Sequence, residues 1–365
     1  MRKTIVITGG HHNCALVIAE KLRLRGYRVI WFGHKYTMLG DCQPGAEYRE
    51  VTQAGFKFVE IKAGKIGRRF LGKELIGFPR GFLQSFYYLL VYRPDLVFSF
   101  GGYLAFPVVI SAFLLRIPSI THEQTVVYGF ANRIISYFAQ KVCVSWKVSS
   151  CHFPSRKIVF TGLPLRDEIL SAKKTRFFPN HLPIIYITGG KQGSHIINRV
   201  VKKNLPLMLE KYNIIHQCGS STLHYDYSHL KIFKKKLCPE LQERYLVKDY
   251  FFRSEIGSIF ASADLIVSRA GAHIVYELAA LGKPVLFIPY PWSHASEQNL
   301  NAQILVKVGT ARVLPQGKLT SEELSRVVGQ MIRDLYIYRK NSPKARQLVK
   351  LNAADQIIDL IQKYV

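Results

Sequence analysis

Carboxylates and an amide set behind a glycine turn are the strongest chemical signal in this 365-residue chain. In residues 264–302, DLIVSRAGAHIVYELAALGKPVLFIPYPWSHASEQNLNA, an apolar strand runs into Arg269-Ala270-Gly271-Ala272 and then a helix. Backbone N–H groups at such a helix start face a phosphate, at the sheet edge where open α/β sheets bind ligands. Glu277 follows about two turns into that helix. Glu297 and Gln298 come after a second strand, PVLFIP. Carboxylates and amides there suit sugar hydroxyls, so the residues point to a nucleotide-sugar pocket, with glycosyl transfer as the first reaction to consider.

A second cluster supplies a base. In ITGGHHNCALVIAEKL a strand ends in Gly9 and Gly10, and a helix starts with His11, His12 and Asn13. An anion can approach that backbone closely while an imidazole beside it accepts a proton near neutral pH. Taken singly, either histidine also reads as a capping or packing residue. Another Gly-Gly turn, Gly101-Gly102, follows a strand, and His122-Glu123-Gln124 directly follows the short run PSIT. That placement predicts side chains projecting at the sheet's C-terminal edge, with the next helix beginning across Tyr128 to Asn132.

The elements that must position these groups alternate. TIVIT (4–8), RVIWF (28–32), DLVFSF (95–100), PSIT (118–121) and KVCVS (141–145) predict strands separated by helical stretches. A second set repeats the plan at IIYIT (184–188), NIIHQC (213–218), DLIVS (264–268) and PVLFIP (284–289). Both sets open on a strand followed by Thr-Gly-Gly, at Thr8 and Thr188. The pattern predicts an α/β protein of two doubly wound, Rossmann-like parallel-sheet domains facing across a cleft, with a basic, proline-containing linker near 164–182. We place the first domain at residues 1–165 and the second at 166–344. The closing segment KARQLVKLNAADQIIDLIQKYV predicts an amphipathic helix, 345–365, returning to the first domain.

Bulk composition narrows the partners. Fifty-one Lys and Arg against 24 Asp and Glu leave a net charge of +27, which implies an anionic partner: nucleic acid, an acidic membrane face or a phosphorylated substrate. The six cysteines (14, 42, 143, 151, 218 and 238) show no CxxC pair and no zinc spacing, which predicts reduced thiols and no metal site. The opening MRKTIVITGG predicts a first strand rather than a signal peptide. No run reaches the ~18 apolar residues that span a bilayer, so a membrane role would be peripheral. Residues 77–94, GFPRGFLQSFYYLLVYRP, bracketed by Lys73, Arg80 and Arg93, read either as a buried crossover helix or as an interfacial patch docking on anionic lipid. Some of Phe82, Phe86 and Leu90 must pack inward. Phe78, Tyr87 and Tyr88 exceed a single core stripe.

The segment GGYLAFPVVISAFLLRIPSITHEQTVVYGFANR resembles the signature of the MurG family of peptidoglycan N-acetylglucosaminyltransferases. TGGHHNCAL is similar to that family's first Gly-rich loop, TGLPLR to its linker motif, TGGKQGSHIIN to its second loop, and SRAGAHIVYE with EQNLNA to its donor site. The resemblance covers nearly the whole chain. It implies a GT-B fold and transfer of N-acetylglucosamine from UDP-N-acetylglucosamine to the C4 hydroxyl of an undecaprenyl-diphosphate-linked muramoyl peptide, on the cytoplasmic side of the cell membrane, in cell-wall synthesis.

It further implies His11 as a group acting near the acceptor, with Gly9, Gly10, His12, Gly101, Gly102, Tyr103, His122, Gln124 and Asn132 on the acceptor side. Arg166, Lys191, Gln192, Gly193 and Asn198 fall near the donor phosphates and sugar. Glu277 matches an acid on the uridine ribose, Gln298 with Glu297 the group holding the GlcNAc hydroxyls, and Ala272 and His273 backbone contacts. Phe78, Phe82, Phe86 and Tyr87 form the candidate membrane contact. The chain departs from the family in a shorter first loop, in Thr125 after His-Glu-Gln, in Lys191 for a Ser, in Leu163 for an Asn, and in Glu297.

The expected reaction is an inverting displacement in which His11, or else Glu123, takes the proton of the attacking hydroxyl. Helix N-termini, Arg166 and Lys191 would stabilise the departing UDP, so no cofactor is expected. Competing readings are another GT-B glycolipid glycosyltransferase, a UDP-GlcNAc epimerase, a GT-B protein that only binds lipid precursor, and an RNA-binding protein. No nucleic-acid motif accompanies the charge, so nucleic acid is not an expected partner.

Overall fold

The β-branched runs form strands whose side chains are buried on both faces, as a parallel sheet covered by crossover helices requires. The computed structural model describes residues 2–36, 44–63 and 73–365, without the side chains of residues 46 and 73–78. The chain divides into two units, residues 1–166 with 350–365, and residues 167–349.

The first unit runs β1 (Thr4–Thr8), α1 (His12–Leu24), β2 (Arg28–Gly33), α2 (Ala46–Gln53), β3 (Lys57–Glu60), α3 (Lys73–Tyr92), β4 (Leu96–Ser99), α4 (Gly102–Leu114), β5 (Ser119–Glu123), α5 (Phe130–Phe138), β6 (Lys141–Val144) and β7 (Ile158–Phe160). Its seven strands are all parallel, in the order β3-β2-β1-β4-β5-β6-β7. Val6, Ile30 and Val97 of the sheet pack against Leu104, Val108 and Ala112 of α4.

The second unit runs α6 (Asp167–Leu170), β8 (Ile184–Thr188), α7 (His195–Leu209), β9 (Asn213–Gln217), α8 (Asp226–Lys234), α9 (Pro239–Glu243), β10 (Tyr245–Lys248), α10 (Arg253–Ser262), β11 (Leu265–Ser268), α11 (Ala272–Leu281), β12 (Val285–Phe287), α12 (Glu297–Lys307), β13 (Ala311–Val313), α13 (Ser321–Arg333), α14 (Leu335–Lys340) and α15 (Ser342–Gln347). Its six parallel strands take the order β10-β9-β8-β11-β12-β13. Ile185, Ile187, Leu265 and Val267 bury against Ile197, Val201 and Leu205 of α7. Each sheet reverses direction of travel once, between β1 and β4 in one and between β8 and β11 in the other. Ligands of open α/β sheets bind beyond the strand ends at such switch points.

Two expectations change. β5 continues through Glu123 instead of ending at Thr121, because His122 and Glu123 pair with Cys143 and Val144 of β6. The closing segment is not one helix: α15 ends at Gln347 in the second unit, and α16 (Ala353–Gln362) starts afresh in the first. There α16 buries Ile357, Ile358 and Ile361. Lys21 and Arg25 of α1 hold it through Asp355 and Asp359, at 3.1 and 3.0 Å.

Candidate active site

At the first switch point the β1–α1 and β4–α4 turns touch. Gly9 has φ +123°, and a Cβ there would lie 2.8 Å from the Phe100 backbone, so the position admits only glycine. Gly10 differs: a Cβ on it would meet nothing within 4 Å, which leaves open space above the turn. Gly101 (φ +72°) and Gly102 (φ +83°) carry the facing turn, and a Cβ on Gly101 would strike the Asn132 amide at 2.5 Å.

His11 stands at the N-cap of α1 without a side-chain capping bond. Burial, then the neighbouring His12, pushes its pKa down to about 4, so the imidazole is neutral at physiological pH and able to accept a proton. His12 instead faces Glu50 of α2 at 3.3 Å.

The His122-Glu123-Gln124 triplet points inward, contrary to the projection expected at the sheet edge. All three are buried, His122 completely. His122 Nε2 lies 2.9 Å from the Gly162 carbonyl and its Nδ1 lies 3.2 Å from Gln124 Nε2, a network satisfied by the neutral tautomer that donates from Nε2. Burial, with His11 as a nearby like charge, pushes its pKa to about 4. Glu123 accepts from four N–H groups: Gln124 N at 3.1 Å, Thr125 N at 3.2 Å, Gly129 N at 3.0 Å and Asn132 Nδ2 at 3.0 Å. Burial still raises its pKa above the carboxylate norm. Asn132 is equally committed, accepting from Thr121 Oγ1 at 2.8 Å and donating to the His122 carbonyl. Gln124 donates to the Phe100 and His122 carbonyls. These residues shape the 124–132 loop and brace the Gly101 turn, while His11 and Gly10 stand above them.

One group absent from the expected set joins this site. Glu47 of α2 accepts from Trp31 Nε1 at 2.8 Å, and burial pushes its pKa up to about 7. It faces the half-buried Tyr103, whose own pKa it raises after the larger effect of burial. Nothing in the local sequence of α2 signals this, because the approach is made by tertiary packing.

In the second unit the β8–α7 and β11–α11 turns are tied together by Arg269. Its guanidinium donates to the Ile288 and Pro289 carbonyls, to Ser194 Oγ at 2.7 Å and to Gln316 Oε1 at 2.7 Å. An arginine beside a phosphate-type turn has the chemistry of an anion ligand. Here it is spent on the scaffold. Gly193 (φ +81°) packs so tightly that a Cβ would overlap the Cys218 carbonyl at 1.9 Å, whereas a Cβ on Gly190 or Gly271 would meet nothing within 4 Å. The N-cap residues of α7 and α11, Ser194 and Gly271, make no side-chain capping bond, and both helix starts lie beside that open space.

Around these turns, Lys191 holds its ammonium 5.7 Å over the Tyr250 ring, and Gln192 is exposed. Ala272 is buried and His273 half-buried in the first turn of α11, with Glu277 on the same helix 6% exposed. Gln298 Oε1 accepts from Ala270 N at 3.3 Å and Tyr290 N at 2.9 Å, fixing the β11 turn against the end of β12. Glu297 lies 3.5 Å from the Asn301 amide, which also donates to the Ala270 carbonyl. Just before them Ala295 (φ 46°) and Ser296 (φ 55°) sit in left-handed backbone, a strain that clusters at ligand sites. Asn198 turns away from the turn, donating to the Cys218 carbonyl and Asp226 and accepting from buried His216. Arg166 is the half-buried last residue before the second unit.

The candidate membrane residues divide along α3. Leu83, Tyr87, Leu90 and Val91 form an exposed stripe, while Phe82 and Phe86 are half-buried and Leu89 is fully buried. Leu90 thus does not pack inward; Leu89 does. Tyr88 packs against the core. The Phe78 side chain lies outside the described residues. Exposed Phe113 and Leu114 of α4 and Phe130 and Tyr137 of α5 add apolar surface on the neighbouring helices. No described helix is long and apolar enough to cross a membrane. Among the described residues no group of three or more His, Cys, Asp and Glu side chains is placed to hold a metal ion.

Comparison with known proteins covers both units. Residues 5–144 match the glycosyltransferase family 28 N-terminal domain and residues 184–360 the family 28 C-terminal domain. The chain is 32% identical to the UDP-N-acetylglucosamine--N-acetylmuramyl-(pentapeptide) pyrophosphoryl-undecaprenol N-acetylglucosamine transferase of Clostridium botulinum (strain Loch Maree / Type A3), with 99% of both chains covered. It is 31% identical to the same-named protein of Clostridium tetani (strain Massachusetts / E88), covering 100% of this chain and 99% of the relative. Among solved structures, Acinetobacter baumannii MurG superposes with a TM-score of 0.72 at 26% identity and 99% coverage of both chains. The UDP-GlcNAc 2-epimerase from Neisseria meningitidis, at 15% identity and TM-score 0.68 over 99% of this chain and 100% of the epimerase, shares the fold.

Proposed function

The chain belongs to the family of UDP-N-acetylglucosamine--N-acetylmuramyl-(pentapeptide) pyrophosphoryl-undecaprenol N-acetylglucosamine transferases, and from that membership we propose the reaction of its own two sites. It is a glycosyltransferase that uses UDP-N-acetylglucosamine. Its acceptor is the C4 hydroxyl of a muramoyl peptide carried on undecaprenyl diphosphate, and the product is the lipid-linked disaccharide of peptidoglycan synthesis. The observation that carries this reading is a pair of switch-point turns, each with open space over a glycine and an uncapped helix start beside it.

The second unit takes the donor. The N–H groups opening α7 and α11 receive the diphosphate, with Lys191 and Arg166 adding positive charge as UDP departs. Glu277 binds the ribose hydroxyls. Gln298, its oxygen held by two backbone N–H groups, offers its NH2 to a GlcNAc hydroxyl. Asn198 positions the strand end through Cys218 and does not touch the sugar.

The first unit takes the acceptor, whose diphosphate lies over Gly10. His11, neutral and beside that space, removes the C4 hydroxyl proton as the oxygen attacks the anomeric carbon and UDP leaves from the opposite face, with inversion. Glu123 holds the 124–132 loop and is a positioning residue, since four N–H groups occupy its carboxylate. The exposed stripe Leu83-Tyr87-Leu90-Val91, with Arg80 and Arg93 near its ends, seats the enzyme peripherally on the anionic cytoplasmic membrane face.

The test is release of UDP from UDP-N-acetylglucosamine with and without a lipid-linked muramoyl acceptor. Acceptor-dependent release with formation of a disaccharide lipid is expected. Acceptor-independent turnover to an epimerised sugar nucleotide, or no turnover at all, overturns the reading.

A further inference from the structure

At the opposite end of the second sheet from the donor turns lies a cavity of about 340 Å³. Asp264 and Pro284, the residues immediately before β11 and β12, form its floor, so about 13 Å of strand separates it from the Arg269 turn. Four cations line it, Lys174, Lys283, Arg339 and Arg346, against the single carboxylate of Asp264. That carboxylate is already engaged: Arg339 donates to one oxygen and Ile184 N to the other, at 2.9 Å. Three positive groups therefore remain without a lining counter-charge.

Three of the cations are also held in place, Arg339 by Asp264 and the other two by backbone carbonyls. Lys283 donates to the Ala261 and Ala263 carbonyls at 2.6 and 2.9 Å, and Arg346 to the Leu281 carbonyl at 3.1 Å. The cavity opens to solvent and Lys174, Arg339 and Arg346 are exposed, so the like-charged cluster surrounds a space that an anion can enter from solution. Its volume falls within the roughly 300–1,000 Å³ of small-molecule sites and exceeds what an inorganic monoanion fills. The guanidinium groups of Arg339 and Arg346 in its lining are of the type that binds the oxygens of a phosphoryl group.

We propose that this cavity binds a soluble phosphorylated small molecule of the diphosphate class, at a site separate from the donor turns. Burial, with Lys174, Arg339 and Arg346 outweighing Asp264, pushes the Lys283 pKa down to about 8. A bound polyanion reverses that balance, so occupancy near pH 8 draws a proton onto Lys283.

The experiment titrates inorganic pyrophosphate calorimetrically into the full chain saturated with UDP, at pH 8 in buffers of differing ionisation enthalpy. Saturable binding with net proton uptake is expected. Lys174→Glu, an exposed change, should weaken it about tenfold or more, the loss of one charge-assisted contact. Lys173→Glu alters net charge identically outside the cavity and should change affinity less than about twofold. Equal weakening by the two variants, no binding to the UDP-saturated protein, or binding only to phosphatidylglycerol vesicles would overturn the proposal.

Discussion

The sharpest consequence of the acceptor site is the acid limb of catalysis. His11 is held near pKa 4 instead of 6.5. A displacement of that size opposes protonation by about 3 kcal/mol, a ceiling because part of the residue remains accessible. At pH 5.5 a base of pKa 4 is still about 97% neutral, whereas an unshifted histidine is about 9% neutral. Between pH 7 and 5.5, kcat/KM should therefore fall by only a few per cent, against about eightfold for an ordinary histidine. The kcat profile should behave differently. An acceptor diphosphate over Gly10 favours the imidazolium, so the limb of kcat, which reports the bound enzyme, should lie at higher pH than that of kcat/KM. Both profiles follow from UDP release between pH 4.5 and 8 with a water-soluble lipid-linked acceptor, with circular dichroism confirming the folded state at each pH. His11→Gln should lower kcat by about 10²–10⁴-fold with the fold intact. A kcat/KM limb centred near 6.5, or near-native kcat in His11→Gln, refutes the assignment.

Three further outcomes follow from the same geometry. Gly9→Ala, forced into φ +123° against the Phe100 backbone, should lower stability by about 2–3 kcal/mol in urea melts, while Gly10→Ala, facing open space, should change it by less than about 0.5; equal effects would contradict the packing. His11, His122 and His216 all have folded pKa values near 4 against 6.5 unfolded, so the unfolded chain binds more protons between those values and stability rises with pH from about 4 to 6.5. Glu47, raised from 4.5 to about 7, and Glu123, raised above its ordinary value, act oppositely but are two groups against three; a urea midpoint at pH 5 equal to or above that at pH 6.5 would refute the balance. On α3, Leu83→Ser with Tyr87→Ser should weaken binding to phosphatidylglycerol vesicles at unchanged urea midpoint, and undiminished binding would remove the stripe from the membrane contact.

The sheets were legible to the degree that their strands are enclosed. The nine strands read from the chain as β-branched runs are all present: β1, β2, β4, β5, β6, β8, β9, β11 and β12. The four missed are KFVE, IVF, YLVK and ARV, and these are β3, β7, β10 and β13, the two edges of each sheet. An edge strand has one neighbour and carries charge that discourages pairing with other chains, so it needs neither the length nor the hydrophobic continuity of an interior strand. Its signal is weak for the same reason that it is tolerated. Extending β5 to Glu123 has a related cause: His and Glu look like strand-ending residues until the N–H groups that satisfy them inside are seen.

That last point separates a motif from the work of its members. Gly9 and Gly10 are one dipeptide in sequence, yet one is closed by the Phe100 backbone and the other faces open space. Gly193 and Gly190 divide the same way. Arg269, Glu123, Asn132 and Asn198 are the residue types that bind phosphates and sugars, and each is instead engaged by other groups of the fold, Ser194 and Gln316 for Arg269, the nearby Gly129 for Glu123, Thr121 for Asn132, and Cys218 and Asp226 for Asn198. A turn that presents backbone N–H groups to an anion braces itself only in part, as through Gly190 N to Thr188 Oγ1 and Gly193 N to the Gly190 carbonyl, because N–H groups given to an anion cannot also hold the turn. Much of the bracing comes from side chains behind it. Residues of ligand-binding type therefore concentrate around such turns in two layers, and only packing distinguishes the layer that holds the loop from the layer that meets the substrate.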